Sequence, residues 1–237
     1  MASAEMEWWL NLQPPTIRKA LTVVDREQAG PLLHMSIDGG IKKFTPYVTR
    51  RAADSENISV PRVSVATSIL GCFIGYCMAF EDIFWPDLRN KAFKNGWYVY
   101  DIPYTEALKP NLKQLYDQEM SDEHWLVTYN EQTRTYPAVI KAKMFFSEIT
   151  IHPVVGKHPR RSVKLLIEVL GDSMVFADKL PLAKGYWEVT GPDPMFVEDW
   201  RQAKEFKTRK LSAGEWGVAK KLTADMLSAP PPPAFSW

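Results

Sequence analysis

Three short groups of polar residues follow one another in the first half of the chain, and their types are those of a ligand site. His34 and Ser36 lie two apart in a short run of alternating character, so a strand would project both to one face. Thr67 and Ser68 end a β-prone run and precede an apolar one, which predicts hydroxyls at the mouth of a cleft. Glu123 opens a further apolar stretch. The structural alternatives are a strand-edge histidine, an ordinary helix cap and an exposed carboxylate.

Other kinds of site have little support. The four histidines do not form a metal-binding pattern with the two cysteines, Cys72 and Cys77, so we expect no metal centre. The chain has neither a glycine-rich phosphate loop ahead of a helix nor a Gly-x-Ser-x-Gly motif. A cysteine–histidine nucleophilic pair stays open, although both thiols fall in a helix that looks buried.

Several elements must position these groups. Val63–Ala66 predicts a short strand that leads into a buried helix over Ile69–Cys77. Gly96–Ile102 is rich in aromatic and β-branched residues and predicts the clearest strand of the chain. Helices are expected over much of the first 30 residues, with Thr16 capping a helix over Ile17–Ala29. Residues 105–118 read as a polar connector with some helical character.

The bulk composition is that of an ordinary globular protein. The 237 residues are 46% hydrophobic and 24% charged, with a formal net charge of +1, so no global attraction to nucleic acid or anionic membrane is expected. The longest apolar run is too short to span a bilayer. The first residues lack the features of a secretory signal, and free thiols suit a reducing compartment, so we expect a cytoplasmic protein.

The order of the three polar groups resembles the catalytic domain of the ADP-ribosyltransferases, especially the branch of the poly(ADP-ribose) polymerases and of bacterial toxins that modify DNA. That family has an early strand with His-x-Ser or His-x-Thr, a second strand that runs into a helix ending near a tyrosine, and a later strand that begins with a catalytic glutamate. The matching segments here are His34–Ser36, Arg62–Ser68 and Glu123–Val127. The chain is also similar to small bacteriophage proteins with the same pattern.

The resemblance implies an α+β fold, roles for the matched residues, and NAD as substrate. The fold would be a split, mostly antiparallel β-sandwich with flanking helices. Glu123 and His34 would be catalytic, with Glu123 stabilising an oxocarbenium-like state at the ribose. The remaining contacts to NAD would come from hydroxyls and a stacking ring, at Ser36, Ser64, Thr67, Ser68, Tyr76, and Tyr98 or Tyr100. Ser64 stands where the family usually has an aromatic residue.

The resemblance covers about residues 32–150, which suggests three parts: a helical segment at 1–30, the ADP-ribosyltransferase-like domain at 31–154, and a small α+β appendage at 155–237 with a Pro-rich tail, Pro230–Pro233. The expected activity is ADP-ribosyl transfer to a protein or nucleic-acid acceptor, or NAD hydrolysis, in a phage or bacterial protein. The alternative is a non-catalytic binding or virion-structural protein, or an inhibitor of host defence, with the N-terminal helix or the Pro-rich tail as a partner surface.

Overall fold

A computed structural model of the chain describes residues 2–48, 59–78, 95–111, 121–152, 160–177, 180–192 and 205–228. Over these ranges the protein is mixed α+β, with a mostly antiparallel sheet and few helices, as the sequence predicts at this level. The strands are Leu21–Asp25 (β1), Leu33–Ser36 (β2), Lys43–Phe44 (β3), Val63–Ala66 (β4), Trp97–Asp101 (β5), Glu106–Pro110 (β6), Glu123–Leu126 (β7), Tyr136–Pro137 (β8), Val139–His152 (β9), Arg160–Ala177 (β10), Leu180–Pro192 (β11) and Lys207–Leu211 (β12). The helices are Ala4–Leu12 (α1), Pro15–Arg18 (α2), Arg26–Ala29 (α3), Ile69–Met78 (α4) and Ala213–Ser228 (α5).

Ten of the described strands form one hydrogen-bonded sheet in the order β1-β6-β7-β4-β2-β5-β9-β10-β11-β12, and β3 pairs with β8 separately. The junction between β2 and β4 consists of one register pair, Leu33 with Ala66. The junction between β6 and β7 also consists of one pair, Leu108 with Trp125. We call the β2/β4 junction the seam. It lies between the strand that carries His34 and Ser36 and the strands next to Thr67, Ser68 and Glu123. The ADP-ribosyltransferase type of split sandwich stays a prediction.

Two predicted elements near the beginning of the sheet are wrong. Leu21–Asp25 is a strand and not part of a helix, because its Thr22-Val23-Val24 run is β-branched and pairs along its length with β6. The predicted connector at 105–118 contains that partner strand, β6, in which every residue except Lys109 is buried. Neither strand is evident locally, since each is stabilised by the other.

The sheet crosses the boundaries that divide the predicted parts. β1 precedes residue 31, and β10 to β12 follow residue 154, yet all belong to the same sheet as β2, β4 and β7. The link at the second boundary is a long antiparallel pairing of β9 with β10, from Arg160 opposite His152 to Val169 opposite Ala142.

Helix α4 packs against the centre of the sheet and forms the largest core. Its apolar residues Ile69, Leu70, Phe73 and Ile74 are buried together with side chains from β2, β4, β5, β9, β10 and β11. A second core on α1 joins Met6 to Leu108 and Trp125. The predicted strand β4 and the helix after it are confirmed, and together they bring the Thr67–Ser68 turn to the sheet centre.

Candidate active site

The three predicted polar groups lie on three strands that are neighbours in the sheet. Leu33 of β2 pairs with Ala66 of β4, and Ala66 pairs with Glu123 of β7. Because adjacent strands lie about 4.8 Å apart, the backbones of Leu33 and Glu123 are separated by roughly 10 Å. The order of strands in the sheet therefore gathers polar groups that are up to 89 positions apart in sequence, from His34 to Glu123.

Glu123 is buried at the start of β7, with its carboxylate held by two residues on its own side of the sheet. Its Oε1 accepts a hydrogen bond of 2.8 Å from Nε1 of Trp125. The same oxygen lies 3.9 Å from Nε of Arg62, whose side chain is 1% exposed. The Arg62 guanidinium lies over the Trp125 ring at 4.3 Å from its centroid, a cation–π contact. The carboxylate thus sits in an enclosed, cationic and aromatic environment.

Two glycines of α4 face the turn at the start of β7, with Gly75 beside Glu123 and Gly71 against Ser121. A Cβ on Gly75 would lie 3.8 Å from Glu123 Oε2, which is an ordinary contact distance. A Cβ on Gly71 would clash with the backbone oxygen of Ser121, so the helix can approach this turn only with glycine there. Ser68 accepts from the backbone N–H of Gly71 at 3.0 Å, as the predicted cap requires.

His34 lies at the seam between β2 and β4. Its Nδ1 is 2.8 Å from the carbonyl oxygen of Ser64, and its ring packs against Phe44 at a centroid distance of 4.4 Å. Burial lowers the pKa of His34, and the contact with the Ser64 carbonyl opposes this effect. Because side chains alternate along a strand, His34 belongs to the face opposite Leu33, Ala66 and Glu123. The catalytic pair that the sequence predicts is therefore close in the backbone but split between two faces.

Ser36, Tyr98 and Tyr100 surround the turn that follows β2. Ser36 Oγ accepts from the backbone N–H of Asp38 at 3.1 Å, and the Tyr100 hydroxyl donates to the Asp38 carbonyl at 2.6 Å. Tyr100 is fully buried, so its ring is closed to a ligand. Tyr98 is half-buried, and its ring covers Gly39, where a Cβ would come within 2.5 Å of it. The Tyr98 ring therefore packs against the turn after β2, the same turn that Ser36 and Tyr100 contact.

The other predicted contacts fall in different places. Thr67 bonds to Asp122, and Ser64 is half-buried on β4 opposite Trp125. Tyr76 lies in α4, and its side chain is outside the described part of the chain. The structure therefore brings Thr67, Ser68 and Glu123 together around the N-terminus of α4, with His34 and Ser36 across the seam.

Sequence reasoning missed Arg62, Trp125 and Asp122. Asp122 accepts hydrogen bonds from Thr67 and Lys109, and it contacts His124 through its carbonyl oxygen. Alternation within β7 could have found Trp125, which lies two residues after Glu123. Arg62 reaches the same face only through the register of β4 with β7, which the sequence does not show.

Other classes of feature are missing from the described ranges. No group of three or more histidine, cysteine or acidic side chains within them could hold a metal ion. None of the helices within them is both long and apolar enough to cross a membrane. Comparisons of the chain with protein-family models, with curated proteins and with solved structures found no match.

Proposed function

We propose that this protein cleaves the bond between nicotinamide and ribose in NAD and transfers ADP-ribose to a protein or nucleic-acid acceptor, or to water. The observation that carries the proposal is the register row from Leu33 through Ala66 to Glu123, which sets the His-x-Ser strand, the Thr67–Ser68 turn and the glutamate side by side. The wider resemblance of these segments to the ADP-ribosyltransferases supplies the substrate class.

Glu123 would act on the nicotinamide ribose. Departure of neutral nicotinamide leaves an oxocarbenium-like sugar, whose positive charge a nearby carboxylate stabilises. The acceptor then forms a bond to the anomeric carbon and loses a proton. The enclosed surroundings of Glu123 strengthen this electrostatic effect, and Gly75 of α4 places no side chain beside Oε2 of the carboxylate.

His34 would bind the other half of the dinucleotide. His34 and Glu123 occupy opposite faces of neighbouring strands, so one extended ligand must cross the β2/β4 seam to reach both. NAD is long enough to present its adenosine ribose to His34 and its nicotinamide ribose to Glu123. Ser36, Ser64 and Ser68 would supply hydroxyls along that path, and Tyr76 would stack on the nicotinamide ring. Tyr98 pairs with Ser36 and therefore lies on the face of His34, away from the nicotinamide ribose.

The test is release of nicotinamide from NAD by the wild type, by Glu123→Gln and by a matched control, Glu131→Gln. Glu131 is an exposed acid whose partner is Arg134. We expect Glu123→Gln to lose a hundredfold or more of the rate, on the order of the loss of one electrostatic stabiliser, and the control to keep it. A wild type that releases no nicotinamide and gains no thermal stability from NAD contradicts the proposal.

A second candidate function is a non-catalytic binding protein, either virion-structural or an inhibitor of host defence. It is favoured by the contacts of Glu123 with Arg62 and Trp125, which are also those of a buried structural ion pair. Trp8 and Leu12 of α1 are 62% and 61% exposed and lie four apart, so they share one helix face that a partner could cover. The Pro-rich tail is the other candidate surface and lies outside the described residues.

The two candidates predict different activities for the wild type and different effects of substitutions in α1. In the catalytic case the wild type releases nicotinamide from NAD, and the folded Glu123→Gln variant does not. In the structural case the wild type is inactive, and Trp8→Ser with Leu12→Ser abolishes co-purification of a partner or self-association. Glu123→Gln removes the charge beside Arg62 in both cases, so its loss of stability does not distinguish them.

A further inference from the structure

Asp122 has a backbone conformation that an aspartate rarely adopts. Its φ is +47°, and it is the one non-glycine residue with a positive φ in the part of the chain that the structure describes. Residues other than glycine rarely adopt this region, and among them asparagine and aspartate tolerate it best. Such residues persist where their surroundings fix them, and they cluster at functional sites.

The surroundings of Asp122 fix it through both carboxylate oxygens. Oδ2 accepts from the Thr67 hydroxyl at 2.7 Å, and Oδ1 lies 2.6 Å from Nζ of Lys109. The carbonyl oxygen of Asp122 lies 2.8 Å from Nδ1 of His124. The partners come from the end of β4, from β6 and from β7, which are neighbours in the sheet.

The cluster around Asp122 connects two parts of the candidate site, the N-terminus of α4 and the start of β7, whose separation must stay fixed. Thr67 precedes Ser68, the residue that caps α4, and Asp122 precedes Glu123. A bond from Thr67 to Asp122 therefore joins the N-terminus of α4 to the start of β7. The direction in which the chain leaves Asp122 also sets the direction of the Cα–Cβ bond of Glu123.

We infer that Asp122 is a positioning residue that holds the Glu123 carboxylate in place through its fixed left-handed backbone and its bonds to Thr67 and Lys109. The role in catalysis rests on the proposed function. Asp122 itself needs no contact with NAD, so its loss is expected to lower kcat more than it changes KM.

The Trp125 indole provides a readout that does not depend on activity. Its N–H donates to Glu123, so the position of its ¹H–¹⁵N resonance reports where the carboxylate lies. Trp125→Phe identifies the resonance by removing it, and Glu123→Ala shows its position when the bond is lost.

The decisive variants are Asp122→Ala, Asp122→Gly and Asp122→Asn. Alanine removes both bonds and keeps the strain, whereas glycine removes the bonds and adopts this backbone freely. We expect both to move the Trp125 resonance toward its position in Glu123→Ala and to lower kcat by about ten- to a hundredfold, as small displacements of catalytic groups do. Asparagine keeps an acceptor and tolerates the backbone, so it should restore most of the wild-type resonance. Asp172→Ala, an exposed acid on β10, is the control.

A wild-type resonance in folded Asp122→Ala or Asp122→Gly overturns the inference. If alanine prevents folding, the glycine variant decides, because it carries no backbone strain. A wild type that does not cleave NAD overturns the proposed function alone, since the resonance still shows whether Asp122 positions Glu123.

Discussion

The imidazole of His34 and the carbonyl oxygen of Ser64 are in contact across the seam where β2 and β4 separate, with 2.8 Å between Nδ1 and the oxygen. A carbonyl only accepts, so this contact requires a hydrogen on Nδ1. In the neutral ring, Nε2 is then an acceptor. His34 is thereby prepared to accept a hydrogen bond from a hydroxyl, such as that of a ribose.

The protein should lose stability when the pH falls below the ordinary histidine pKa, because two histidines are held neutral in the folded state. Burial lowers the pKa of both His34 and His124, and for His124 the Asp122 charge opposes this effect. Since each folded-state pKa lies below the unfolded value of 6.5, stability is full above 6.5 and is lost as the pH falls through the folded values.

Urea unfolding of wild type, His34→Gln and His124→Gln at about pH 7.5 and about pH 5 measures this effect. Each histidine contributes at most about 1.4 kcal/mol per pH unit to the slope, and each variant should show a shallower slope than the wild type. Equal slopes in all three proteins would contradict the assignment of the acid sensitivity to these side chains.

Two glycines of α4 should respond in opposite ways to alanine. Gly71→Ala forces a methyl group against the Ser121 backbone, so we expect a loss of about 1–3 kcal/mol in the free energy of unfolding. Gly75→Ala meets only ordinary contacts and should gain up to about 1 kcal/mol from helix propensity.

Thermal unfolding of both α4 variants checks these signs. Under the proposed function Gly75→Ala also narrows the space beside Glu123, so a more stable protein with slower NAD cleavage is expected. A Gly71→Ala protein as stable as the wild type would show that the turn at Ser121 can move away.

Buried and exposed ion pairs should differ in their cost when one partner is removed. Arg62→Ala leaves Glu123 buried beside an empty space and removes the cation–π contact with Trp125, so we expect a loss of about 3–5 kcal/mol. Lys109→Ala breaks a shorter pair with Asp122, but the Lys109 and Asp122 side chains are 41% and 38% exposed. Its cost should be below about 1 kcal/mol because solvent screens the charges.

Denaturant titration of both variants at neutral pH gives the two free energies. The prediction for the buried pair is contradicted if Arg62→Ala costs no more than Lys109→Ala. That result would mean that water reaches Glu123 freely.

The start of α5 depends on a capping box. Ser212 Oγ accepts from the backbone N–H of Glu215, and Glu215 in turn accepts from the backbone and hydroxyl of Ser212. Arg209 adds a third contact, and together these bonds lower the pKa of Glu215 to about 2. Ser212→Ala should cost about 1 kcal/mol in the free energy of unfolding.

Urea unfolding of Ser212→Ala at neutral pH measures that loss, with Ser212→Thr as the conservative control. In the folded protein the pKa of Glu215 lies below its usual value of 4.5. The stability that comes from the charged Glu215 carboxylate is therefore present above about pH 4.5 and is lost as Glu215 becomes protonated near pH 2. A Ser212→Ala protein as stable as Ser212→Thr would argue against the cap.

The sequence predicts those elements whose pattern is local, and its predictions fail where the pairing of distant strands decides the structure. β4, α4 and β5 are evident from short apolar or aromatic runs, and the three-residue spacing of Ser212 and Glu215 is that of a capping box. Ile17–Ala29 is bounded by helix signals and predicts a helix, but its β-branched centre becomes the strand β1 because it pairs with β6. Gly171-Asp172-Ser173 reads as a turn, but it lies inside β10 at a change of register with β11.

The candidate site shows the same limit. The residue types at His34, Thr67, Ser68 and Glu123 are visible in sequence, but their adjacency depends on strand order, which no local pattern encodes. The faces are a further case: alternation predicts that His34 and Ser36 project together, and only the register with β4 and β7 sets them opposite Glu123.

The two single-pair junctions have a consequence for how this sheet resists opening. At the β2/β4 junction, α4 contacts both strands, and its Ile69 and Leu70 share a core with Leu33 and Ala66. At the β6/β7 junction, Met6 of α1 lies in one core with Leu108 and Trp125. At each of these two junctions, which have one register pair, side chains from a helix pack against both strands. We therefore expect the two single-pair junctions to depend on these helices, so that loosening either helix separates the strands that carry the candidate site before the long β9–β10 and β10–β11 pairings separate.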